Sequence, residues 1–227
     1  MEPSFFQKHP IAKDVLSLAS FVVAIVLCTM FLNAYIYRSY NVVGSSMENT
    51  LQNDDRVVVN RAAVSWAHFL GQEYKPERGQ IVVFVNADEK KIKEYKAEGV
   101  ENPMTCNVPD NVSDQYIIKR AIAFPGERVI VKDGIMTIYQ WDEEKNSWNE
   151  GTVYDKEWRI ASDNGPKEYT SGEVDTVVPE GELFVSGDNR EGSNSWDSRN
   201  GLGTIPYCRI IGPVVLRLFP FDKMRTF

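Results

Sequence analysis

The stretch "QYIIKRAIAFPGERVIVKDGIMTIY", Gln115 to Tyr139, decides the fold class. It holds three runs rich in β-branched residues, cut by Pro125–Gly126 and Asp133–Gly134. No apolar stripe of helical period runs through it, and the two breakers would end a helix. Asp-Gly between two apolar runs is a strong hairpin signal, because both central residues must take positive φ. In the first run, strand alternation sets Ile117, Lys119 and Ala121 on one face and Ile118, Arg120 and Ile122 on the other. One of the two basic residues is therefore expected to point inward, and the other outward.

Similar runs recur outward from this stretch. They are "RVVVN" (Arg56–Asn60), "QIVVFV" (Gln80–Val85), "ELFVSG" (Glu182–Gly187) and "PVVLRLF" (Pro213–Phe219). Turn residues separate them. A short helix is expected around Arg61–Leu70. The reading is a mainly β domain of sandwich or barrel type. Two polar stretches, near 86–114 and 141–176, read as insertions in it. We find no internal repeat.

At the other extreme stands "VLSLASFVVAIVLCTMFLNAYIY", Val15 to Tyr37, with no charged residue. About 20 apolar residues suffice to cross a bilayer core of about 30 Å. Tyr35 and Tyr37 fall at one end, where aromatic side chains favour the interface. A cleaved signal peptide has a shorter apolar region, of about 7–15 residues. A buried core helix usually keeps a polar face. The expected organisation is a short tail (1–14), an uncleaved transmembrane anchor (15–37) and a β domain (38–227). Lys8 and Lys13 before the run, with Arg38 after it, lean the N-terminus toward the cytoplasm.

The 227-residue chain carries a net charge of -7. No basic stripe stands out, so it is a poor match for a nucleic-acid backbone. Its three cysteines, Cys28, Cys106 and Cys208, have no zinc or redox spacing. Cys106 and Cys208 are read as two unpaired thiols, with a disulfide as the alternative in an oxidising compartment.

A further motif is "NVVGSSMENTL", Asn41 to Leu51, with two adjacent serines. A serine hydroxyl needs a neighbouring base to become a nucleophile. The two histidines, His9 and His68, are poorly placed for this. A lysine can serve if burial lowers its pKa from about 10.4. Lys119, inside an apolar strand, is the candidate, with a snorkelling surface lysine as the plain alternative. "SGDNREGSNSWDSRNG", Ser186 to Gly201, has the composition of a polar loop. It also sets Ser195 near a carboxylate, Asp197, and a guanidinium, Arg199, which suit a charged pair.

Four blocks together give a resemblance: "GSSMENTL" (Gly44–Leu51), "RGQIVVF" (Arg78–Phe84), "YIIKRAIAFPGE" (Tyr116–Glu127) and "GDNREGSNSWDSR" (Gly187–Arg199). In this order, after one apolar run, they resemble the bacterial type I signal peptidases, membrane-bound Ser-Lys proteases. The resemblance implies a signal-peptidase-like β-sheet or barrel catalytic domain behind one transmembrane helix. It implies Ser46 as nucleophile, in preference to Ser45, and Lys119 as general base. Ser195 would orient the lysine, Asp197 and Arg199 would form a structural ion pair, and backbone N–H groups of Ser46 and Gly44 would bind the oxyanion. Val42, Val43, Met47, Ile117 and Ile118 would wall pockets for an Ala-x-Ala site. The implied partners are signal-peptide-bearing preproteins and the lipid bilayer, with no metal or organic cofactor. The implied location is the bacterial plasma membrane, with the catalytic domain outside the cytoplasm. The chain departs from the family pattern at Asn49, at Gly44, and in about two extra residues around Glu191–Ser193. A base of histidine type, as in the endoplasmic reticulum and archaea, is replaced here by lysine.

Two other readings are set against this one. An anchored, non-catalytic β domain, for binding or scaffolding, would share the architecture. A Ser-Lys autoprotease of the DNA-damage repressor kind would share the chemistry, but predicts a helical DNA-binding domain where this chain has its apolar run.

Overall fold

The computed structural model describes residues 10–86, 115–153 and 169–227. The chain enters through a helix, α1 (Pro10–Phe31). A π-helical turn (Leu32–Ile36) follows, and strand β1 (Tyr37–Asn41) begins directly after it. The window Asp14–Phe31 has a mean hydropathy of 2.2, and none of it is buried inside the protein. Twenty-two residues at about 1.5 Å each also give the helix the length to cross a bilayer core. Helical structure thus covers the expected 15–37 except Tyr37, which belongs to β1.

Among the described residues, thirteen further strands and one further α-helix follow. They are β2 (Arg56–Asn60), α2 (Ala62–Phe69), β3 (Ile81–Asn86), β4 (Gln115–Ala123), β5 (Arg128–Lys132), β6 (Ile135–Tyr139), β7 (Trp141–Asp142) and β8 (Ser147–Trp148). There follow β9 (Thr152–Val153), β10 (Val174–Val177), β11 (Glu182–Ser186), β12 (Ile205–Pro206), β13 (Ile210–Phe219) and β14 (Arg225–Thr226). The large sheet runs β1-β2-β13-β3-β4-β11-β12, with β14 paired to β13. A smaller sheet runs β10-β5-β6-β9, and β7 and β8 form a two-stranded ribbon. The second polar insertion therefore holds short strands, β7 to β10, that its composition hides.

Burial explains the sequence pattern of β3. Val82 and Phe84 enter one core with Ala121, Leu183 and Tyr207. Ile81 and Val83 enter another with Met47, Leu51, Val57 and Val214. A strand covered on both faces reads as a continuous apolar run, as "IVVFV" does. A third core, with Ile122, Val129, Met136 and Phe184, lies between the small sheet and the end of β4 and β11. The hairpin expected at Asp133–Gly134 joins β5 to β6, with Lys132 opposite Ile135. Both turn residues take positive φ, 53° and 81°. A side chain at Gly134 would also strike the ring of Tyr169.

Two expectations are corrected. Lys119 and Arg120 are both buried, at 4% and 2% exposure, so neither points to solvent. Arg120 tolerates burial because it is paired bidentately with Asp188 and donates to the Gly79 carbonyl at 2.6 Å. Cys208 is disulfide-bonded, so it is not an unpaired thiol; Cys106 lies outside the described residues. Cys28, on α1, is free and exposed.

Candidate active site

The loop between β1 and β2 carries the two serines. Its ends are tied together by Val42 N–H to the Asp55 carbonyl (2.8 Å) and Asp54 N–H to the Val42 carbonyl (2.9 Å). Beneath it, Met47 and Leu51 are buried among core side chains. The Asp55 carboxylate accepts from the Gln52 N–H (2.9 Å) and from Arg217 on β13 (3.2 Å). The same Arg217 Nη1 reaches the Thr50 carbonyl at 3.2 Å. This leaves Ser45 exposed and Ser46 partly buried.

Asn189, just after β11, grips the same loop from the opposite side. Its N–H donates to the Ser46 carbonyl (3.0 Å) and its amide to the Ser45 carbonyl (3.1 Å). Gly187 makes this approach possible, since a Cβ there would collide with Ser195 Oγ and the Ser46 carbonyl.

Lys119 reaches Ser46 from β4. Its Nζ lies 2.8 Å from Ser46 Oγ and donates to the Ile118 carbonyl at 2.9 Å. Burial pushes the Lys119 amine down to about 8. Asp197 and Asp188 act in the opposite direction, and Arg199 offsets part of their effect. Asp197 and Arg199 form a completely buried pair, 2.7 Å between Nη2 and Oδ2. Asp197 also accepts from the Gly187 N–H (2.9 Å), while Arg199 donates to the Ser171 and Arg190 carbonyls. Ser195 is fully buried, and its Oγ has no hydrogen-bond partner among the described residues. The extra residues before it, Glu191–Ser193, bulge outward and are exposed.

A cavity of about 450 Å³ opens beside Ser46 and Lys119. Val42, Val43, Ile117 and Ile118 line it, as expected. Met47, expected as a wall, lies instead in the core beneath the loop. Tyr40, Tyr116 and Trp196 line it as well. Nothing in the sequence singled these out, because an aromatic residue beside a strand reads as ordinary core. The role expected for the Gly44 N–H also changes. That group donates to Asn53 Oδ1 at 2.9 Å, whereas the Ser46 N–H has no partner among the described residues. His68 sits on α2 and does not line the cavity; His9 lies outside the described residues.

Two open strand edges flank the cavity. Among the described residues, β1 pairs only with β2. β11 pairs with β4 over Arg120–Ala123 and leaves Tyr116–Lys119 without a neighbour on that side, among the described residues. An extended peptide laid there would find unpaired backbone groups on both sides. A hydroxyl, a buried amine of lowered pKa and an open strand slot are together equipped for acyl transfer.

Residues 15–219 match the family described as signal peptidase, peptidase S26. The chain is similar to signal peptidase I T of Bacillus subtilis, at 32% identity over 90% of this chain and 85% of that protein. It is similar to signal peptidase I of Bacillus licheniformis, at 31% over 90% and 88%. A partial structural overlap exists with the crystal structure of a signal peptidase I from Enterococcus faecalis. It has a TM-score of 0.35 and 24% identity, over 61% of this chain and 96% of that one. So partial an overlap leaves the fold to be read from the chain's own strands.

Proposed function

The chain belongs to the signal peptidase family, peptidase S26, and from that premise we propose a Ser46–Lys119 dyad as its catalytic centre. Members of this family are serine endopeptidases that cleave signal peptides, and this chain is one of them. What carries the dyad reading is the 2.8 Å contact between Ser46 Oγ and a buried amine whose pKa has fallen to about 8. An amine with an ordinary pKa near 10.4 would hold its proton at neutral pH.

In this reading the preprotein's cleavage site lies as a strand between the β1 and β4 edges. Ser46 gives its proton to neutral Lys119 and attacks the scissile carbonyl. The free Ser46 N–H donates to the developing oxyanion, an interaction of a type worth about 3–4 kcal/mol. Lys119 then protonates the departing amine, which leaves an ester on Ser46. Water hydrolyses the ester with Lys119 again as base. Ser195, a buried hydroxyl without a partner, is the acceptor available when the amine becomes charged. Asp197 and Arg199 fix the loop that carries it. The dyad is a variant of the familiar nucleophile–base logic.

Val42, Val43, Ile117 and Ile118 favour small side chains, hence an Ala-x-Ala site. The anchor is 15–37, most of it in α1, with a short tail, 1–14, before it and the catalytic domain, 38–227, after it. The Cys208 disulfide supports a domain outside the cytoplasm, where such bonds persist. We place the protein in the bacterial plasma membrane by this argument.

The test is cleavage of an Ala-x-Ala peptide in detergent by the full chain, Ser46→Ala, Lys119→Ala and Ser45→Ala. Loss of turnover in the first two, with Ser45→Ala active, is the expected result. A Ser46→Ala protein that still cuts would overturn the dyad. A full chain that cuts nothing would favour the anchored, non-catalytic domain instead.

A further inference from the structure

A second, larger crevice lies where α1 meets the β domain. Its volume is about 880 Å³. Ile25, Val26 and Met30 of α1 form its lower wall, and Arg38 and Arg61 stand at its upper rim. The chain brings the two arginines together by pairing. Tyr37 faces Asn60 across β1 and β2, and the Arg61 N–H donates to the Ile36 carbonyl at 2.8 Å. Neither guanidinium has a carboxylate partner among the described residues. In a chain of net charge -7, two uncompensated cations in one crevice are a local exception.

We propose that this crevice binds an anionic phospholipid, its phosphate between Arg38 and Arg61 and its acyl chains along α1. The inference rests on the reading of α1 as a membrane anchor. The vertical order of the groups supports a lipid over a free anion. Arg38 follows the helical segment by two residues, and the apolar wall begins about two turns below, at the depth of acyl chains. Guanidinium groups bind phosphate with paired N–H donors, and each cation near a membrane surface strengthens anionic-lipid binding about fivefold.

The site has a link to the substrate cavity. The Arg38 guanidinium sits 5.5 Å from the ring centres of both Tyr40 and Tyr116. Those rings pack 5.0 Å apart and line the cavity beside Ser46. A bound phosphate holds Arg38 in that position, so lipid occupancy steadies one wall of the substrate slot.

The experiment uses the full chain, purified from mixed micelles of phosphatidylglycerol and phosphatidylcholine in equal amounts. Retained lipid is counted by mass spectrometry. The expected result is enrichment of phosphatidylglycerol, reduced about fivefold in Arg61→Gln and again in Arg38→Gln. Arg61→Gln should still cleave the peptide substrate in detergent, which shows that it is folded. Retention of the two lipids in the proportion supplied, or enrichment unchanged in Arg61→Gln, overturns the proposal. So does equal binding of glycerol phosphate in lipid-free detergent, which would make the crevice a site for free phosphate. A chain that partitions into the aqueous phase and retains no lipid would instead remove the anchor reading on which the proposal stands.

Discussion

At Lys119, burial sets stability against the chemistry proposed for it. Its amine is buried for use, and burial disfavours its charged form. The unfolded chain takes up the proton near 10.5, the folded one only near 8. Below about 8 the folded state carries the full penalty, which fades as pH rises and vanishes above 10.5. The shift corresponds to roughly 2–4 kcal/mol. Lys119→Met should therefore unfold later than the parent protein at pH 7, with the gap closing between pH 8 and 10.5. Parallel thermal melts across that range check this, and a constant gap would contradict it. In the proposed dyad the same amine sets activity. If neutral Lys119 takes the serine proton, kcat/KM should climb about tenfold per pH unit below 8 and level off above it. A pH–rate profile on the Ala-x-Ala peptide reads this directly. Nothing in the sequence marked Asn53 as part of the site. It occupies the Gly44 N–H, so Gly44 contributes its positive φ, 93°, and not a donor.

At the level of elements, the site depends on two strands with one open edge each. The hairpin β5–β6 and most strand runs were legible, because turn chemistry and β-branched runs are local signals. β1 was not legible. Its residues, Tyr37–Asn41, directly follow the apolar run and mix tyrosines with Arg38, Ser39 and Asn41, and their strand character comes from pairing with β2. The inward turn of both Lys119 and Arg120 was hidden for a related reason. Alternation assumes one solvent face, but Arg120 finds a buried carboxylate, Asp188, from another strand's end. The tyrosine wall belongs to the same class of long-range fact. Tyr116 stands three residues from Lys119, about 10 Å along the strand at about 3.3 Å per residue. In an extended substrate that is the neighbourhood of the side chain two positions before the scissile residue. Tyr116→Ala should therefore raise kcat/KM for peptides with Leu at that position about tenfold relative to Ala. Preference at the residue next to the scissile bond should stay unchanged. A peptide series varied at both positions tests this, and equal relaxation at both would refute the assignment of Tyr116.

Across the whole molecule, the large sheet and its β1–β2 loop carry the proposed dyad, and the small sheet carries none of it. The two share the core of Ile122, Val129, Met136 and Phe184, and Arg78 and Glu127 join them beside it. Arg78 donates to the Ile122 carbonyl (2.5 Å) and to Glu127 (2.6 Å). Glu127 also accepts from the Phe124 N–H (2.9 Å) and from Gln140 Nε2 (3.0 Å). One carboxylate thus joins the segment before β3, the end of β4 and the residue following β6. The block containing Glu127 was legible as family-like, but its role here is mechanical and follows from the burial of both partners. Removing the carboxylate deprives Arg78, the Phe124 N–H and Gln140 of an acceptor, at a cost of about 3–5 kcal/mol. Glu127→Ala should lower the melting temperature strongly, while kcat/KM at low temperature stays near that of the parent protein. Glu127→Gln keeps the shape and part of the hydrogen bonding, so it should fall between. If Glu127→Ala instead lost activity while its melting temperature held, the small sheet would be acting on the substrate slot and not merely bracing the fold.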